Sequence, residues 1–161
     1  MLAISTTVYS QGEVAAATGY SAQQIFKLTA AMLRKKGRGK GHHNLYTFDD
    51  ALRIALAKEL RRSGVAVPSL QSLFGALDTP PPSSPSKPWS WLKTAEARTA
   101  GATIVLFIEH RLGGRKLPTG VVYLTTAQEA VGWLRSKTTV TVIDVNAVIA
   151  ELEERTGEQY V

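Results

Sequence analysis

Two helix-capping signals eleven residues apart, Ser10 with Glu13 and Ser21 with Gln24, constrain the start of this 161-residue chain more than any other feature. In each pair the hydroxyl can accept from the backbone amide three residues on, while the acid or amide reaches back to the cap's own amide. Each pair therefore opens a helix. Gly19 lies between them and supplies the positive φ that lets a chain leave one short helix and turn sharply into another. The order predicts a short helix, a tight turn and a second helix. On that second helix Ile25, Leu28 and Met32 have the spacing of an inward face, and Gln23, Gln24 and Lys27 lie outward.

Residues 34–44, RKKGRGKGHHN, follow with five permanent positive charges, three glycines, two histidines and no acid. Such a stretch cannot enter a core. Its glycines suit a hairpin tip, and Leu45, Tyr46 and Thr47 offer an extended return, so the segment reads as a basic wing. Thr47 with Asp50 is a third capping box, opening a helix with Leu52, Ala55, Leu56 and Leu60 at helical spacing and a stop at Gly64. Pro68 then sits where a first helical turn tolerates a missing amide. A short helix, a turn and an outward-facing second helix is the arrangement that places a helix in a DNA major groove.

Residues 9–74 resemble the winged-helix domain of MerR-type regulators, the family named for mercury-resistance control. The resemblance rests on YSQGEVAAATGYS at the start, LYTFDDALRIALAKELRRSGV after the basic segment, and VPSLQSLF beyond it, a little over 40 per cent of the chain. It implies a winged helix-turn-helix that binds double-stranded DNA and regulates transcription. The candidate DNA-contacting residues are Ser21, Gln23, Gln24 and Lys27 on the second helix, with Arg34, Lys35, Lys36, Arg38, Lys40, His42, His43 and Asn44 in the wing. Where the family usually carries an arginine-tyrosine-tyrosine run, this chain has Phe26, Lys27 and Leu28. The family's operator and activation mechanism therefore do not carry over.

Charge divides the chain unevenly. Residues 1–77 hold ten Lys or Arg against four acids, and residues 78–161 hold nine against nine, so the formal net charge of +6 belongs to the front half. A cationic front half suits contact with a polyanion, because cations that displace condensed counterions supply most non-specific affinity for nucleic acid. Residues 78–90, DTPPPSSPSKPWS, contain five of the seven prolines and read as a semi-rigid spacer between two domains, 1–77 and 91–161. Those prolines forbid the long dimerising helix found in many proteins of the family.

The expected fold class is α+β, with a small α/β unit in the second half. Strands are predicted at 103–110, 121–125 and 139–143, with a short helix at WSWLKTAEAR before them. A helix opened by Thr126 and Glu129, with Ala130, Val131 and Leu134 on one face, should link the second and third strands in a crossover. A last helix starts near Asp144, buries Val145, Val148, Ile149 and Leu152, and ends by Gly157. Trp89, Trp91, Phe107, Tyr123 and Trp133 exceed what such a unit can hide, which predicts a homodimer through the second half. A flexible linker would then let paired heads tolerate more than one half-site spacing.

Little in the chain points to chemistry. The absence of cysteine excludes disulfides, thiol catalysis and cysteine-based metal sensing. His42 and His43 are neighbours that would point opposite ways on a strand, and His110 is remote, so no metal site is expected. Gly113 and Gly114 lack the Lys and Ser or Thr ending of a phosphate loop. The expectation is a non-enzyme with no cofactor. No window is long and apolar enough to span a membrane and MLAISTT is not a signal peptide, which predicts a cytoplasmic protein with no membrane partner. Two other functional classes stay open: an excisionase-like or architectural recombination factor, and a protein-interaction adaptor.

Overall fold

A computed structural model of the chain describes residues 7–33, 45–109, 119–134 and 140–160. The fold is α+β. Helices α1 (Gln11–Thr18), α2 (Ala22–Leu28), α3 (Phe48–Arg62) and α4 (Val67–Asp78) form the front half. A 3-10 turn at Trp89–Lys93 leads to α5 (Ala95–Ala100), β1 (Ala102–Glu109), β2 (Thr119–Thr126), α6 (Ala127–Leu134), β3 (Val140–Asp144) and α7 (Val145–Thr156). The helix starts follow from the sequence. Ser10 with Glu13, Ser21 with Gln24, and Thr47 with Asp50 each form a reciprocal capping box, and Thr126 with Glu129 makes the same pair of bonds ahead of α6. Gly19 and Gly157, with φ of 74° and 73°, close α1 and α7 in the left-handed conformation.

β1 is the middle of a three-stranded antiparallel sheet of order β2-β1-β3. Because β2 and β3 each run opposite to β1, they run parallel to each other, and α6 connects them, as the strand-helix-strand spacing predicts. Ile104 pairs with Leu124 on one side and Ile143 on the other, and all three join the main core together with Ala102, Leu106 and Val122. Val105 and Ala130 are buried but stand outside that core, which places α6 on the second face. The face of α6 departs from expectation: Val131 is 55% exposed.

The proline-rich segment is fixed, not free. Lys87 N donates to Leu124 O at 2.7 Å, and Leu124 N donates to Ser86 Oγ at 2.9 Å, so the segment lies along the outer edge of β2. One hydrophobic core then runs without interruption from Tyr9 and Leu28 through Leu60 and Leu77 to Trp89, Ile104, Leu152 and Tyr160. α7 packs against both α1 and α3, and α4 packs against β2. Trp89 and Trp91, counted above as surplus apolar surface, are only 5% and 7% exposed and are consumed by this core. Tyr123 is half-buried, and the side chains of Phe107 and Trp133 lie outside the described ones.

A polar knot ties the halves together. Asp49 Oδ1 accepts from Trp89 Nε1 at 2.8 Å and from the Tyr160 hydroxyl at 2.6 Å, while Asp49 Oδ2 accepts from Arg53 Nε at 3.3 Å. Arg53 also donates from Nη1 and Nη2 to the two oxygens of Asp78, at 3.2 and 2.5 Å, and its guanidinium lies 4.2 Å from the centre of the Trp89 ring. Phe48 stacks on Tyr160 with ring centres 5.1 Å apart. Burial and then the Asp49 charge push the Tyr160 phenol well above its ordinary 10.0, so it stays a neutral donor. Burial opposes the charge on Arg53, but the bonds to Asp78 and Asp49 outweigh it and raise its pKa above the usual guanidinium value.

Asp49→Ala strands the donors of Trp89 and Tyr160 and part of the charge of Arg53, so it should destabilise the chain by about 2–4 kcal/mol in urea unfolding. Asp50→Ala removes the carboxylate of the α3 capping box, a loss of about 1 kcal/mol for the cap. Equal losses would contradict the knot.

Bonds from the Ser10 backbone and side chain hold the Glu13 carboxyl below its ordinary 4.5, and bonds from Thr125 and Thr126 do the same for Glu129. The unfolded chain then takes up these protons first as pH falls. Both contributions are present above 4.5 and are lost as pH drops through the lowered folded values. Replacing both by Gln should flatten the decline of stability between about pH 5 and pH 3.

Candidate nucleic-acid interface

The α1–α2 pair is set by local bonds. Thr18 Oγ1 donates back to Val14 O at 2.7 Å, Gly19 N donates to Ala15 O at 2.9 Å, and the Gln11 side chain donates to Ala22 O at the start of α2. Lys58 from α3 donates to Thr18 O at 3.1 Å, and Arg155 from α7 donates to Ala17 O at 2.8 Å. The C-terminal carbonyls of α1 are thus capped by two cations from different halves of the chain, where the helix dipole favours positive charge. A cleft of about 270 Å³ opens beside them between α1, α3 and α7. Its charged walls are already paired, Arg62 with Glu59 and Arg155 with Glu151, so it is a polar seam between packed helices.

Ile25 and Leu28 on α2, and Met32 just beyond it, are buried, as their spacing predicts. Gln23, Gln24 and Lys27 are exposed on the outer side, with Ser21 exposed at the cap. Their freedom differs. Gln24 Oε1 accepts from Ser21 N at 2.9 Å, so the acceptor half of its amide is engaged in the cap. Gln23 is not part of the cap. One residue that sequence reasoning left out shares this face: Phe26 is 58% exposed. The available signal was its spacing, three residues from Gln23 and out of phase with Ile25 and Leu28.

Beyond α2 the chain widens into a π-helical turn at Thr29–Leu33. Buried Thr29 bonds back to Ile25 O at 2.8 Å and shares a 3.0 Å hydrogen bond with the Tyr46 hydroxyl. Tyr46, fully buried, forms a two-bond antiparallel bridge to Tyr9, with N–O distances of 2.7 and 2.9 Å. The described residues on either side of the basic segment are therefore tied to the α1–α2 pair. The segment's own candidates, Arg34, Lys35, Lys36, Arg38, Lys40, His42, His43 and Asn44, lie outside the described residues.

Among the described residues no group of three or more His, Cys, Asp or Glu could hold a metal ion, and no described helix is long and apolar enough to cross a membrane. No family model matches this chain, and no curated protein matches its sequence.

Proposed function

We propose that the chain is a sequence-specific double-stranded-DNA-binding transcription regulator of bacterial or phage type, working in the cytoplasm as a homodimer. The reading helix is α2, and the basic segment at 34–44 is the wing beside it. The observation that carries this reading is the exposed polar face of α2, with Gln23 and Lys27 exposed over a buried Ile25 and Leu28. Five of the front half's ten cations fall in the glycine-rich segment that starts just after the π-helical turn. A helix braced from behind and followed in sequence by a run of cations has the parts needed to enter a major groove and hold the flanking phosphates.

The wing and the helix make separable contributions. Arg38→Ala with Lys40→Ala should weaken binding to every duplex alike and make the plot of log affinity against log salt shallower by about 1.8. Gln23→Ala should instead relax sequence preference, since a good bidentate glutamine-adenine pair discriminates by about 1–3 kcal/mol. Binding measured on selected and random duplexes across a salt series separates the two. An unchanged salt slope would remove the wing from the DNA, and equal losses on both duplexes would remove Gln23 from the base edges.

Pairing of two chains would supply the site length that one small head lacks. Val131 on α6 and Val142 on β3, 55% and 42% exposed, offer apolar surface for it in the second half. With the proline segment bonded to β2 and the halves sharing a core, the two heads of such a dimer have one fixed separation. The full-length protein should therefore sediment as a dimer at micromolar concentration and accept a single half-site spacing. A monomer that binds one half-site as tightly as two would contradict the pairing.

A further inference from the structure

Phe26 is the one aromatic among the large exposed apolar side chains of the described residues. It stands on α2 between Gln23 and Lys27, with more than half its surface in water at 58% exposure. Ile25, Leu28 and Met32 fill the inner face of this segment, so a polar side chain at 26 would serve the fold as well. An apolar ring in the middle of an otherwise polar stripe calls for an apolar counterpart.

We propose that Phe26 is a specificity-determining residue whose ring packs against the C5-methyl group of thymine. The inference rests on the proposed placement of α2 in the major groove. In that groove the base edges carry hydrogen-bonding groups and a single apolar feature, the thymine methyl. Insertion of the ring between base pairs is the other way an apolar side chain engages DNA, but such wedges act from the minor groove. The geometry also fixes a neighbourhood. Phe26 lies about one helical turn from Gln23, roughly 5 Å along the axis, and base pairs stack about 3.4 Å apart. The thymine therefore falls one or two base pairs from the pair that Gln23 reads.

Deoxyuridine pairs like thymine and lacks only the methyl, so it isolates this contact. The probe is the duplex that the full-length protein recovers from a random pool, with each thymine replaced singly by deoxyuridine. Burial of one methyl corresponds to about a fourfold change in affinity. The wild-type protein should lose about that factor at one or two adjacent positions, near the base whose identity ceases to matter in Gln23→Ala. Phe26→Ala should lose a similar factor on the thymine duplex and become indifferent to the replacement, whereas Phe26→Leu should keep part of the methyl sensitivity. Because the ring is exposed, both variants should keep the wild-type unfolding midpoint.

Wild-type binding that ignores every deoxyuridine replacement overturns the proposal while leaving the DNA reading intact. So does Phe26→Ala that still loses the full factor on replacement. Loss of self-association with unchanged DNA affinity in Phe26→Ala would assign the ring to a protein contact instead. Failure of the wild-type protein to bind any duplex at low salt overturns the DNA reading and this inference together.

Discussion

The Asp49 carboxylate accepts hydrogen bonds from three separate parts of the chain: Arg53 one turn along its own helix, Trp89 at the end of the proline-rich segment, and Tyr160 beyond α7. Around that acceptor the guanidinium of Arg53 sits between two carboxylates and the face of an indole. A buried charge is tolerable when its partners neutralise it and satisfy its hydrogen bonds, and costly when one partner is lost. The knot therefore fixes more than a surface ion pair would. It sets where the 3-10 turn meets α3 and, with the Phe48–Tyr160 stack, where the chain after α7 returns to the front half.

The consequence reaches the candidate interface through α7. With α7 held, Arg155 arrives at the C-terminal end of α1 beside Lys58, and both cap carbonyls that would otherwise point into water. The sheet is thus mechanically connected to the pair of helices that precede the basic segment. On the proposed reading, the second half supplies more than a pairing surface: it braces the reading head. A change at the knot would then alter DNA affinity without touching a DNA-contacting residue.

Elements with local causes were legible in the sequence. Four capping pairs, at Ser10, Ser21, Thr47 and Thr126, mark helix starts within a few residues, and β-branched runs mark three strands whose ends fall one or two residues from those in the structure. The inner face of α2 was legible for the same reason, since Ile25 and Leu28 obey helical spacing. What escaped depends on contacts distant in sequence. Asp49 sits next to the capping residue Asp50, and nothing local distinguishes a carboxylate that meets residues 89 and 160 from one in solvent. The prolines end α4 at Asp78 and keep 79–88 free of helix, but proline content could not reveal that Ser86 and Lys87 bond to β2. Phe26 shares the outer face with Gln23 by the same helical spacing, but its apolar ring carries no polar signal of a contact.

On the proposed reading, the outer face of α2 meets DNA while the far side of the sheet does not. Backbone amide shifts of the full-length protein, followed as a short random-sequence duplex is added at low salt, test it most directly. Salt-sensitive perturbations are expected at residues 21–30 and around Leu45 and Tyr46, with α6 and β3 unchanged. Perturbations centred on α6 and β3, or none at any duplex concentration, would contradict it.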